Sequence, residues 1–191
     1  MLTIGALFAG YGGLELGVQA ALDQPAQVIW YAEYHPHPAA VMAHHHPDAV
    51  NLGDVRHIDF TAVPRVDILT GGTPCQDLSH AGKRGGMNSG TRSNLWVSMR
   101  EAVAELHPTV VVWENVRGAL SAGAESEMEP CPGCLGNPED SPLRAFGRVL
   151  GDLAGLGYRC GWVGLPASAE GAPHGRYRIF LLAQRAVPDP T

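Results

Sequence analysis

Lysine is almost missing from this sequence: Lys83 is the only one in 191 residues. The other basic residues are arginines, and 13 Lys+Arg against 19 Asp+Glu leave a formal net charge of -6. Such a chain lacks the broad basic face of a free-standing nucleic-acid binder, so any nucleic-acid footprint must be local or supplied by a partner. Cysteine is scarce as well. Cys75, Cys131, Cys134 and Cys160 do not form a disulfide framework, which fits a reducing compartment such as the cytoplasm. No apolar run approaches the length of a membrane span. No basic segment followed by an apolar one opens the chain, so no signal peptide is expected. What remains, 45% hydrophobic and 17% charged residues, is the composition of a globular domain long enough for one sizeable core.

Against that background one stretch stands out, Gly71-Gly72-Thr73-Pro74-Cys75-Gln76-Asp77-Leu78-Ser79. The run before it, Val66 to Thr70, is short, apolar and rich in β-branched residues, and reads as a buried strand. The two glycines are expected to end that strand. Pro74 stiffens the backbone just ahead of the thiol. The pattern predicts a rigid loop presenting Cys75 at the carboxyl edge of a sheet, where open α/β sheets bind ligands. A cysteine there is either a nucleophile, which needs an activating partner, or a small buried hydrophobe.

Partners are found elsewhere along the chain. Leu2 to Phe8 reads as a first strand and leads into Ala9-Gly10-Tyr11-Gly12-Gly13, after which Leu14, Val18, Ala21 and Leu22 recur at helical spacing. A glycine-rich turn between strand and helix admits a ligand to the helix N-terminus, or is simply a tight turn. Its spacing is neither the dinucleotide fingerprint nor a phosphate loop. Val28 to Glu33 is a second apolar run that closes on an acid, placed to hold ribose hydroxyls in a doubly wound fold. Residues 38–46 read as a helix with His37, His44, His45 and His46 near its ends. No cysteine or carboxylate converges there to complete a metal site, so a polar helix end is the preferred reading. Asp54, in Gly53-Asp54-Val55, either accepts hydrogen bonds from a bound base or caps a turn.

The segment 81–92 carries Lys83, Arg84 and Arg92 among glycines and reads as a substrate loop able to meet phosphates. Ser93 then caps an amphipathic helix running to Leu106. Thr109 to Trp113 is the clearest buried strand, and it delivers Glu114 to the same sheet edge as Cys75. Desolvation there would raise the Glu114 pKa and suit it to general acid work. Residues 117–140 read as an irregular insert holding Cys131-Pro132-Gly133-Cys134, half of a zinc-site spacing with no second half. A helix opened by Ser141-Pro142 and two strands, Tyr158 to Leu165 and Arg178 to Ala183, complete the chain. The last two strands are expected to pair antiparallel. Arg176 and Arg178, two residues apart at a strand entry, place two guanidinium groups on one face, able to fork onto a phosphate, a base edge or a carboxylate.

Taken together and in order, FAGYGG (8–13), the Glu33 strand end, GDV (53–55), GGTPCQDLS (71–79), ENV (114–116) and GAPHGRYRIF (171–180) resemble the cytosine-5 DNA methyltransferases, from about residue 2 to residue 185. The resemblance implies a three-layer, Rossmann-like α/β fold with a mostly parallel sheet and an antiparallel last strand. It implies S-adenosyl-L-methionine as methyl donor and double-stranded DNA as partner. Phe8, Gly10, Tyr11 and Gly13 would line the donor pocket, with Glu33 on the ribose, Tyr34 near the adenine, Asp54 and Val55 at the adenine edge, and Pro74 beside the donor. Cys75 would be the nucleophile, Glu114 would touch the ring nitrogen, and Arg176 and Arg178 would lie near the base carbonyl and the thiol. No metal is implied.

Two departures from the family pattern are visible. Ala6 stands nearest the place of a usual Asp, and His174 stands in the place of a usual Gln. The family's target-recognition domain and two C-terminal motifs are also missing from the 191 residues. A second chain carrying the recognition domain, with this one as catalytic half of a split enzyme, is the preferred explanation, ahead of a truncated product or a small variant. The alternatives carried forward are a methyltransferase of the tRNA-acting branch and a non-catalytic accessory that binds donor or DNA.

Overall fold

A computed structural model of the protein describes residues 1–74, 95–120 and 145–186. Cys75, the Lys83/Arg84/Arg92 window, Ser93, the Cys131/Cys134 pair and Ser141-Pro142 lie outside the described residues.

Seven strands form one sheet: β1 (Leu2–Leu7), β2 (Ala26–Ala32), β3 (Val50–Asn51), β4 (Ile68–Gly72), β5 (Val110–Val116), β6 (Tyr158–Pro166) and β7 (Tyr177–Arg185). Their spatial order is β3-β2-β1-β4-β5-β7-β6. The first five pair in parallel, and β7 runs antiparallel to both β5 and β6. The order reverses at β1 and β4, whose carboxyl ends carry the glycine-rich turn and the approach to Cys75. That is the crevice in which open α/β sheets bind ligands.

Helices cover both faces. Alternation along each strand sends successive side chains to opposite sides. Leu7, Leu69, Val111, Trp113, Ile179 and Leu181 meet α3 (Trp96–Leu106) and α4 (Ala145–Gly155) in the larger core. Ile4, Ala6, Val28 and Ile68 face α1 (Gly13–Ala21) and α2 (Pro36–His45), with Met42, Val18 and Leu22 packed against them. The expected three-layer α/β architecture with an antiparallel last strand is the observed one.

Several boundaries differ from the sequence reading. Gly71 and Gly72 do not end β4 but continue it, pairing with Trp113 and Glu114. Neither has a positive φ. A Cβ at Gly71 would stand 2.6 Å from the Met99 sulfur, so that glycine serves close packing of α3 on the sheet, not a turn. The helix read from residue 38 begins at Pro36, a residue suited to a first turn because its missing N–H has no helical partner there. β3 went unread because it is only two residues long. The insert read from residue 117 starts with a further ordered turn, Arg117–Leu120, in which Gly118 and Ala119 are buried.

Candidate active site

The glycine-rich turn is built from backbone conformations that side chains resist. Gly10 (φ 54) and Gly12 (φ 80) are left-handed, and so is Phe8 (φ 54). A non-glycine residue there costs on the order of 1–3 kcal/mol and marks a segment shaped for a purpose. The turn is tied to the next strand: the Gly10 N–H donates to Glu33 Oε2 at 2.9 Å. The other oxygen of Glu33 accepts from the His35 N–H at 2.8 Å. Asn51, unnoticed in the sequence, closes the arrangement. Its Oδ1 accepts from the Glu33 and Gly53 N–H groups, and its Nδ2 donates to the Glu33 carbonyl.

These residues wall a depression of about 510 Å³ that brings together Phe8, Glu33, Tyr34, Asp54, Val55 and Pro74. Tyr34 is exposed and lies against the His35 ring, with centroids 4.1 Å apart. Asp54 caps the turn Val55–His57 by accepting from the Arg56 N–H at 3.0 Å, so the capping reading holds. The Arg56 guanidinium also grips both Asp54 oxygens and, with these hydrogen bonds, holds its pKa down to about 2.

An adjoining groove of about 1070 Å³ shares Phe8 and Gly72 with that depression and adds Gly10, Gly13, Glu114 and Arg176. Tyr11 lines neither space and is exposed. Glu114 sits at the carboxyl end of β5, where Arg178 of the antiparallel β7 places its Nε 2.7 Å from Glu114 Oε1. Burial pushes the Glu114 carboxyl above its ordinary value, and the Arg178 and Arg176 charges pull against that rise. The result is a half-buried acid that keeps a proton more readily than a solvated glutamate while remaining within reach of two cations. Gly72, its register partner in β4, leaves the carboxylate room: a Cβ there would come within 3.4 Å of Glu114 Oε2. Cys75 follows three residues later in sequence.

Besides Asn51, four polar residues were missed. Thr73 and Asn115 are buried and hydrogen-bonded to each other. Glu15 is 1% exposed, and its Oε1 contacts the Thr70 hydroxyl at 2.5 Å. The only advance signal was their position, polar types next to glycine turns or inside apolar strands. Among the described residues no three His, Cys, Asp or Glu side chains come together as a metal site.

A sequence profile of the C-5 cytosine-specific DNA methylases matches residues 2–187. The chain belongs to that family. Family members use S-adenosylmethionine as methyl donor. A DNA N-6-adenine-methyltransferase of Escherichia phage P1 is 31% identical over 91% of this chain and 28% of its own length. The type II methyltransferase M.NlaIV of Neisseria lactamica is 30% identical over 92% of this chain and 39% of its own length. The crystal structure of the S. pombe Dnmt2 methyltransferase superposes with a TM-score of 0.65 at 16% identity, covering all of this chain and 51% of that one. The family member described here thus spans less than half the length of these curated relatives.

The fit of the donor to the smaller depression can be judged from its walls. A volume of about 510 Å³ lies within the usual range for small-molecule sites. Both Glu33 oxygens are oriented by backbone N–H groups, and a carboxylate so held keeps further acceptor capacity for hydroxyls. A Cβ at Gly53, a lining residue, would meet nothing within 4 Å. The residues present fit the group.

Proposed function

We propose that this chain is the catalytic part of a DNA (cytosine-5-)-methyltransferase. The observation that carries the reading is the Glu114–Arg178 pair at the edge of β5, beside the strand that leads to Cys75. Glu33 would hold the ribose hydroxyls of S-adenosylmethionine, Tyr34 would lie near its adenine, Asp54 and Val55 would meet the adenine edge, and Phe8, Gly10 and Pro74 would border the donor. When bound, that donor supplies a methyl group on a sulfonium sulfur.

The remaining chemistry belongs to the chain. Carbon-5 of cytosine is a poor nucleophile. The Cys75 thiolate adds to carbon-6, and the electron pair displaced onto the ring is stabilised by a proton held between Glu114 and ring nitrogen 3. The raised pKa of Glu114 suits it to that proton. Arg176 and Arg178 keep Glu114 oriented and offset charge at the base carbonyl. Carbon-5 then takes the methyl group, and loss of its proton expels the thiolate. The target base is flipped out of the duplex to reach this edge, at a cost of a few kcal/mol. A cysteine three residues past a buried strand favours this reaction over methylation of adenine N6, an amine that needs no covalent activation.

A net charge of -6 leaves much of the DNA grip to be supplied by a partner, and the partner proposed is a second chain carrying a target-recognition domain. Bacterial or phage-infected cytoplasm is the proposed setting, since these relatives come from a bacterium and a phage. No described helix is long and apolar enough to cross a membrane.

The test is transfer of labelled methyl from S-adenosylmethionine to unmethylated duplex DNA, with Cys75→Ser in parallel and a tRNA transcript as competing substrate. Label on DNA cytosine that disappears in Cys75→Ser is expected. Label that survives the substitution overturns the covalent route. A wild-type chain that stays inactive even with a family recognition domain added would instead identify an accessory protein.

A further inference from the structure

We infer that Thr73 is a positioning residue that sets where the Cys75 loop stands relative to Glu114. This rests on the roles proposed above for those two residues.

The β4–β5 ladder stops at the Gly72–Glu114 pair. Beyond Gly72 the backbone of β4 has no strand partner to fix its direction, yet the nucleophile lies only three residues ahead. Side chains take over at that point. Trp113 Nε1 donates to Thr73 Oγ1 at 2.9 Å. Asn115 Nδ2 donates to the same hydroxyl at 2.9 Å and to the Thr73 carbonyl at 3.1 Å. Asn115 is itself held, its Oδ1 accepting from the Val116 N–H at 2.8 Å. All three residues are almost fully buried, Trp113 at 0%, Asn115 at 1% and Thr73 at 3% exposure. Both acceptor lone pairs of the Thr73 hydroxyl are therefore in use in a site where water cannot substitute.

The strand pleat makes this clamp specific. Trp113 and Asn115 point to the α3 side of the sheet, and Glu114 between them points to the other side. One three-residue segment thus presents the carboxylate on one face and grips the stem of the Cys75 loop on the other. Any shift of β5 moves both together. Reacting groups must keep their geometry to within a fraction of an ångström, and a misplacement of about 1 Å costs on the order of 10²-fold in rate. Thr73 is buried and its hydroxyl is taken up by Trp113 and Asn115, so the contribution inferred for it is placement.

The experiment compares Thr73→Val, which keeps the shape but removes the acceptor, with Thr73→Ser, which restores it. Trp113→Phe, which removes one donor, provides a second route. Methyl-transfer kinetics and peptide-resolved iodoacetamide labelling of Cys75, with Cys160 as internal reference, are read on each, after tryptophan fluorescence shows a folded protein. The expected result is a kcat lower by about 10²-fold in Thr73→Val, with KM for S-adenosylmethionine unchanged within about twofold. Cys75 labelling relative to Cys160 departs from wild type in Thr73→Val, and Thr73→Ser recovers both readouts. Trp113→Phe shows a smaller loss of the same kind. The proposal is overturned if Thr73→Val keeps wild-type kcat and Cys75 labelling while only its melting temperature falls, since that is an ordinary core hydrogen bond. It is equally overturned if Thr73→Ser is as impaired as Thr73→Val. Should the wild-type chain transfer no methyl at all, the functional reading fails by itself, and the labelling comparison still decides the role of Thr73.

Discussion

The two faces of the sheet are finished differently. On the α3/α4 side, Trp96, Met99, Val103, Trp113, Val149, Leu153, Ile179 and Leu181 are all fully buried. The Trp113 ring meets those of Trp96 and Phe146, each at a centroid distance of 6.0 Å. On the α1 side, Val110, Val112 and Phe180 are only half-buried and Leu182 is 55% exposed. They line the large groove together with Leu14, Val18 and Leu22 of α1. The one fully buried side chain of α1 is an acid, Glu15. The first face is a core that sets stability. The second is a partly open surface on which Glu114, Arg176 and the glycine-rich turn converge. The buried core and the candidate site thus lie on opposite sides of a single layer of strands, and alternate residues of β5 and β7 face one or the other.

The strongest way to break this contrast is to cut into the closed face. Trp96→Ala removes a fully buried ring and its hydrogen bond to Asp152 Oδ2 at 2.7 Å. It should cost about 3–5 kcal/mol in urea unfolding. A loss below about 1 kcal/mol would show that this face is not the stabilising one.

Glu15 sharpens the comparison from the other side. Its Oε2 is buried without a hydrogen-bond partner, and burial raises its pKa above 4.5 despite the Thr70 contact. The folded protein therefore keeps a proton that the unfolded chain releases. Stability from this group is complete below the ordinary glutamate value and is lost as pH rises from there through the folded-state value. Glu15→Gln, which is neutral at every pH, should flatten the decline of the urea midpoint above pH 4.5 and make the protein more stable at neutral pH. Identical pH slopes for the two proteins would count against a buried neutral acid.

The smallest effect belongs to the open face. Leu182→Ala should change unfolding free energy by no more than about 0.5 kcal/mol, although its neighbour Leu181 is fully buried. A larger loss would mean that Leu182 is covered in the folded protein.

Much of the candidate site was legible beforehand because its signals are local. Strands that end in Glu33 and Glu114, a glycine-rich turn before a helix, and a proline before a cysteine are all written in consecutive residues. The two glycines before Thr73 were misjudged as a turn, because their real constraint comes from Met99, a residue 28 positions from Gly71 in sequence (99 − 71). The family motif implies Tyr11 at the donor pocket; its side chain is 65% exposed and lines neither of the two cavities described above.

The sequence by itself determined the alternation of strands and helices and named the candidate site residues, since periodicity and turn chemistry are properties of neighbouring residues. Only the tertiary structure decided which polar residues hold them. Glu15 reaches Thr70 across 55 positions and Thr73 meets Asn115 across 42. Such pairs exist only once α1 packs on β4 and β4 lies beside β5, because hydrogen bonding depends on distance in space and leaves no period in the chain.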